Sequence, residues 1–387
     1  MPLKTSSTLF VHEEPKNVHD IPIAITMFWP YISERVAPAI AETLKTRWIG
    51  QGPKVEAAEL KFSEMFNIPY VVTVNSCTSA LHLALIFAGV DDGDEVVTTP
   101  MTCAATNTPI LYRKAKIVFA DIQPNTLNID PKDIEKRITQ KTKAIMVVHW
   151  GGYPCDMDEI MAIAERHRLA VIEDAAHALG ASYKGKNIGS IGDYTCFSFQ
   201  AIKQITTGDG GILTVKDEGI YKRAKLLRWY GIDREFKSDT YWKYLIKEIG
   251  YKYCMNDIAA AMLIVQLDDL LEILKRRKVI TERYREELAE VPGLTLLENK
   301  PDRQSGNWLF TVRVKNKDAF QNKLNNHGIE SSTVHIRCDI SPVFGGKRQE
   351  DLPVMNKTES EYISIPLHCK LTDEDISKII KVKKSGW

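Results

Sequence analysis

Most of what this sequence lacks is informative. No run approaches the ~18 consecutive apolar residues needed to span a bilayer, and the best stretch, 21–32, is broken by Pro22, Thr26 and Pro30. A membrane partner is therefore not expected. The seven cysteines, Cys77, Cys103, Cys155, Cys196, Cys254, Cys338 and Cys369, are scattered without Cys-x-x-Cys spacing, so free thiols are expected, with no structural disulfide and no metal site. The first twenty residues carry Glu13, Glu14 and Asp20 and lack the apolar core of a secretory signal, which makes the cytoplasm the expected location. An excess of one charge is missing too: 51 Lys and Arg stand against 50 Asp and Glu, arguing against a nucleic-acid partner as the main role. Phosphate-loop, dinucleotide, metalloprotease and nucleophile-elbow motifs are all absent.

What is present is an ordinary globular composition, 44% apolar over 387 residues, enough for about two domains at roughly 100–200 residues each. Between 70 and 215, short β-branched runs (YVVTV, EVVTT, KIVFAD, KAIMVVH, LAVIED, CFSF and GILTV) alternate with segments of helical apolar spacing. That alternation predicts an α/β domain with a mostly parallel sheet covered on both faces. Helices are expected at 217 to about 229 and 255 to about 274, the latter with an apolar stripe through Ile258, Met262, Ile264, Leu267 and Leu271. The charged run 275–287 is read as a boundary, separating a large domain at 25–275 from a smaller α+β domain at 276–387. Within the latter, a strand is expected at 307–314 and helices near 317–327 and from about 372.

Four features could carry chemistry. The run from Asn75 to Ala80 joins a strand to a strong helix, so its amides and hydroxyls suit a phosphate; Ser76 or Thr78 would equally serve as a plain helix cap. Asp174 closes the strand LAVIED, with His177 three residues on, at the sheet edge where ligands collect in such folds. Ser198 lies in Cys-Phe-Ser-Phe, and Lys203 precedes the glycine-rich Thr207-Gly208-Asp209-Gly210-Gly211, where a ligand can approach closely. Taken singly, a strand-end acid is commonly a turn former and a lysine commonly solvated. Taken together they form a set that pyridoxal 5′-phosphate (PLP) requires: an anion site, a carboxylate for the ring nitrogen and an amine for a Schiff base.

At these residues the chain resembles the DegT/DnrJ/StrS aminotransferases, which act on nucleotide-linked keto sugars. The likeness runs from about Trp29 to Ile380, and its most specific part is Glu173-Asp174-Ala175-Ala176-His177 through Gly189, Gly192-Asp193, Phe197-Ser198-Phe199, Lys203 and Thr207 to Gly211. It implies the PLP-dependent aminotransferase fold type I, aspartate aminotransferase-like, with PLP as cofactor and a homodimer sharing its active sites. Glutamate is the implied amino donor, and a nucleotide-linked keto sugar the acceptor. Lys203 would carry the cofactor, Asp174 would pair with its ring nitrogen, and His177 would lie by its 3′-oxygen. Cys77, Thr78 and Ser198 would hold its phosphate. Cys103 falls where many members place a stacking aromatic, and Lys252 where an Asn commonly reaches the neighbouring subunit's phosphate. His335, Arg337, Arg228 and Trp48 are candidate substrate contacts. Members that dehydrate sugars carry histidine in place of the lysine, so Lys203 favours amino transfer; a non-catalytic PLP-binding regulator is the rival from another class.

Overall fold

The computed structural model describes residues 23–233, 246, 248–384 and 386–387. Helices α1 (Val36–Leu44) and α2 (Pro53–Phe66) precede β1 (Tyr70–Val74). Strand and helix then alternate through α3 (Cys77–Phe87), β2 (Glu95–Thr98), α4 (Ala104–Tyr112), β3 (Lys116–Phe119), α5 (Pro131–Arg137), β4 (Thr142–Val148), α6 (Met157–His167) and β5 (Ala170–Asp174). A small hairpin, β6 (Ser182–Tyr183) and β7 (Lys186–Asn187), leads to β8 (Tyr194–Ser198), β9 (Gly211–Val215) and α7 (Glu218–Leu227).

Seven of these strands form one sheet in the order β1-β9-β8-β5-β4-β2-β3. Only β9 runs against its neighbours. The reason is local: the link from β8 to β9 holds the Lys203 segment but no α-helix, and a helix is the usual crossover that makes a strand return parallel. Side chains alternate between two apolar cores. Val71, Val97, Val147, Val171, Phe197 and Ile212 enter one, and Val72, Val96, Met146, Ile172, Cys196 and Leu213 enter the other. Both faces are thus covered, which is why the strands read as near-continuous hydrophobic runs.

The helix expected to stop near 274 instead runs unbroken as α8 (Asp257–Leu288). The 275/276 division between domains therefore falls inside a helix. No Gly or Pro interrupts the charged run, and its Lys, Arg and Glu residues are good helix formers. Ile273, Arg277, Ile280, Tyr284 and Leu288 continue the buried stripe at helical spacing. The first half of α8 packs into the core shared with α2, while Ile280, Tyr284 and Leu288 pack on the C-terminal part. That part comprises β10 (Leu294–Leu296), β11 (Arg303–Gln304), β12 (Phe310–Val314), α9 (Lys317–Asn325), α10 (Pro353–Thr358), β13 (Tyr362–Ile365) and α11 (Asp373–Lys384). β10, β12 and β13 make an antiparallel sheet, and β11 joins β6 and β7. Among the described residues no helix is long and apolar enough to cross a membrane.

Candidate active site

The candidate residues gather at the carboxyl ends of β1, β5 and β8. Strand alternation separates the two acids that end β5. Glu173 turns into scaffold, accepting hydrogen bonds from Gly192 N–H (2.6 Å) and Thr195 Oγ1 (2.8 Å), with His149 Nε2 at 2.9 Å. Asp174 turns the other way. Thr106 Oγ1 donates to its Oδ2 at 2.6 Å, Ala176 N–H donates to Oδ1 at 3.0 Å, and the Cys77 thiol lies 3.9 Å from Oδ1. Burial raises the Asp174 carboxyl above its ordinary range, while Thr106, Ala176 and the positive charge of Lys203 pull it back. A cationic partner at this carboxylate would favour its ionised form.

Lys203 follows β8 and is buried. Its Nζ lies over the Trp308 ring, 3.8 Å from the centroid, and no hydrogen bond or ion pair among the described residues reaches it. Burial lowers its pKa to about 8, against the opposing pull of Asp174, Cys77 and Cys103. His177 stacks on the same Trp308 at 3.8 Å between centroids, and His335 lies parallel to His177 at 5.7 Å. Both imidazoles are held neutral: burial, then the nearby Lys203 charge, lowers His177 well below its usual range and His335 to about 4. His177 Nδ1 and His335 Nε2 are buried without a hydrogen-bond partner.

The N-terminus of α3 adjoins Asp174 through Cys77. Ser76 caps it, accepting from Ser79 N–H at 3.1 Å, and the first intrahelical bond is Ala80 N–H to Ser76 O. The amides of Cys77 and Thr78 therefore have no acceptor within the helix. Gly211 pairs with Val74 on one side and Ser198 on the other, and a Cβ there would stand 2.5–2.7 Å from the Ser76–Cys77 peptide. Only a glycine lets β9 pass so close, and this contact sets Ser198 beside the helix start. Cys103 occupies the N-cap position of α4, one turn before Thr106, without a capping hydrogen bond from its side chain, and lies within electrostatic reach of Lys203.

Other expectations need correction. Arg337 does not face a ligand: it is buried in a two-point pair with Asp339 (2.6 Å for each contact) and donates to Asn356 Oδ1 at 2.6 Å. Arg228 is likewise buried, paired with Glu59 and donating to Thr73 O at 2.9 Å. A guanidinium removed from water requires such partners, so neither offers a free fork to a diphosphate. Trp48 is 40% exposed beside Arg47. Lys252 is exposed, with its ammonium 3.6 Å from the Trp229 ring centroid; neither joins the Lys203 cluster within this chain. Two members of the cluster escaped sequence reading. Thr106 is legible only as a polar residue inside a helix pattern, and Trp308 falls within the strand expected at 307–314. That strand begins instead at Phe310, because Asn307 adopts φ 47° and the N–H groups of Trp308 and Leu309 both turn to Gly151 O.

The residues present fit PLP: a buried amine of lowered pKa, a buried carboxylate, an imidazole with an unsatisfied nitrogen, and free amides at a helix start. A model of the DegT/DnrJ/EryC1/StrS aminotransferase family matches residues 30–383, and the chain belongs to that family. It is 37% identical over 380 residues to the spore coat polysaccharide biosynthesis protein SpsC of Bacillus subtilis, covering 95% of this chain and 97% of the relative. To GDP-perosamine synthase of Caulobacter vibrioides it is 34% identical over 371 residues, covering 93% and 97%. Its fold superposes on AtS13 of Actinomadura melliaura with a TM-score of 0.90 at 37% identity, over 96% of this chain and 100% of the other. Spr1654 of Streptococcus pneumoniae, solved in PLP and PMP forms, gives a TM-score of 0.87 for each at 32% identity, over 93% of this chain and 97% and 96% of those chains. The chain is a PLP-dependent sugar aminotransferase.

Proposed function

We propose that this sugar aminotransferase takes its amino group from glutamate and delivers it to a keto carbon of a nucleotide-linked sugar, for amino-sugar or cell-surface polysaccharide biosynthesis, lipopolysaccharide included. The observation that carries the reading is that two buried groups lie within electrostatic reach of each other: an amine that makes no hydrogen bond among the described residues, and a carboxylate held by Thr106 and Ala176. When bound, PLP supplies an electron sink conjugated to the nitrogen being transferred.

The chain's own residues do the rest. Asp174 would accept a hydrogen bond from the ring nitrogen of the bound cofactor and hold it protonated. Lys203, with a pKa of about 8, has an appreciable neutral fraction near pH 7, so its Nζ can take the proton from the donor's α-carbon and return it at C4′. His177, neutral and with Nδ1 unsatisfied, can serve the 3′-oxygen. The amides of Cys77 and Thr78 and the Ser198 hydroxyl would hold the phosphate, with the positive end of α3 favouring its charge. His335, parallel to His177, is the substrate contact that the geometry supports best. A nucleotide-linked acceptor is supported by the likeness to a GDP-perosamine synthase. The exposure of Lys252 and Trp48 supports a homodimer in which both reach a neighbouring site.

The holoenzyme is expected to be yellow, to lose its visible band on addition of glutamate, and to regain it with the correct keto sugar nucleotide. Borohydride should fix the cofactor to Lys203, and Lys203→Ala should abolish turnover. A band indifferent to glutamate would remove the donor assignment, and an unmodified Lys203 after reduction would remove the lysine.

A further inference from the structure

We propose that Trp308 is a positioning residue whose indole is the seat that receives the Lys203 amine whenever that amine is not bonded to the cofactor; this rests on the reading of Lys203 as the cofactor lysine. Transamination detaches that amine in every turnover. A detached lysine in a dry pocket needs a defined place, or its flexible stem takes the proton carrier out of range.

Three observations point to the indole. The Lys203 Nζ lies 3.8 Å from its centroid with no competing hydrogen bond or ion pair among the described residues. The ring itself is clamped: it is fully buried, its Nε1–H donates to Ile202 O at 2.9 Å, and its backbone N–H donates to Gly151 O at 2.9 Å. Ile202 directly precedes Lys203, so the bond that orients the indole also fixes it to the lysine's own segment. Finally, Phe28 and His177 both stack on the ring, with centroids at 5.4 Å and 3.8 Å, so seat and imidazole are in register.

An aromatic face favours ammonium over free amine. Trp308 therefore stabilises Lys203 after it has collected a proton, offsetting the burial that favours the neutral base. The other groups bearing on Lys203 are Asp174 on β5, Cys77 at the head of α3 and Cys103 before α4, all favouring its charged form, with His177 and His335 neutral.

The test follows PLP capture by cofactor-stripped protein as the visible band grows, across the neutral-to-alkaline range. Differences between variants cancel the ionisation of PLP itself. Loss of the ring in Trp308→Leu should move the midpoint of capture down by about one pH unit, the scale of a desolvated cation–π contact, and Trp308→Phe should lie between Leu and wild type. A Leu variant with the wild-type midpoint would overturn the proposal. A second measurement needs no variant. In a crystal structure of wild-type protein converted by glutamate to the pyridoxamine form, the Lys203 Nζ should rest over the indole at about 4 Å; an Nζ bonded elsewhere would also overturn it. Failure of the underlying assignment is distinguishable, since wild-type protein would then show no borohydride-fixed adduct on Lys203.

Discussion

Replacing Arg337 with alanine separates a structural arginine from a substrate-binding one. The side chains of Arg337 and Asp339 are both 0% exposed. Removing the guanidinium deletes two contacts to Asp339 at 2.6 Å, one to Asn356 at 2.6 Å and one to Glu359 at 3.3 Å. Glu359 keeps Arg348 at 2.9 Å, so it is not stranded. Among the described residues the Asp339 carboxylate keeps only the hydrogen bond from Gln349 N–H at 3.0 Å and the more distant charge of Arg348, and becomes a buried charge without a directly bonded counter-ion. Such a loss costs about 3–5 kcal/mol, a large share of a total stability of about 5–15 kcal/mol. Urea unfolding followed by fluorescence should show a lower midpoint for Arg337→Ala at unchanged slope. The double variant Arg337→Leu, Asp339→Leu should recover part of it, because no charge is then left unpaired. On the folded fraction, the KM for the sugar should stay near the wild-type value. If instead Arg337→Ala unfolds at the wild-type midpoint while KM rises tenfold or more, the guanidinium faces the substrate and the structural account is wrong.

Two further outcomes follow from single side chains. Lys383 on α11 is buried among Tyr284 and Phe320 with its Nζ unpartnered, and burial lowers its pKa well below the usual value; between that lowered pKa and the ordinary ~10.4, the unfolded chain binds one more proton, so stability should rise with pH by about 1.4 kcal/mol per unit. The Lys383→Met variant lacks this slope, so its advantage over wild type should shrink steadily from neutral to alkaline pH in urea titrations, and a constant difference would mean that the ammonium reaches water. Gly211→Ala forces a Cβ to within 2.5 Å of the Ser76 carbonyl carbon, so the start of α3 must move and PLP affinity should fall roughly tenfold, about 1.4 kcal/mol; unchanged PLP affinity, measured by absorbance titration, would show that these amides do not hold the phosphate.

Legibility in the sequence followed the physical origin of each feature. The seven sheet strands could be read because most are buried on both faces, the edge strand β3 less so, and they draw on β-branched residues that favour strands. The continuation of α8 past 274 was hidden because a charged run looks like a linker. Yet charge on the solvent side of a helix leaves the apolar stripe intact, and Ile280, Tyr284 and Leu288 carry that stripe into a different core.

The same logic divides the site. Asp174 and Lys203 stood out in combination, a carboxylate at a strand end together with a lysine beside glycines, since singly such residues commonly form turns or stay solvated; the fold then shows both buried. Arg337 and Arg228 carried an equal signal for the opposite reason, since their partners Asp339 and Glu59 are carboxylates whose positions only the fold reveals. Trp308 and Thr106 carried almost none. An aromatic in an apolar run and a threonine in a helix cost nothing locally, and their meaning comes from contacts more than sixty residues away in the chain: Trp308 to Lys203, and Thr106 to Asp174. A site built around a buried amine thus announces its charged members in the sequence, while the neutral groups that set their protonation and placement become visible only when the chain is folded.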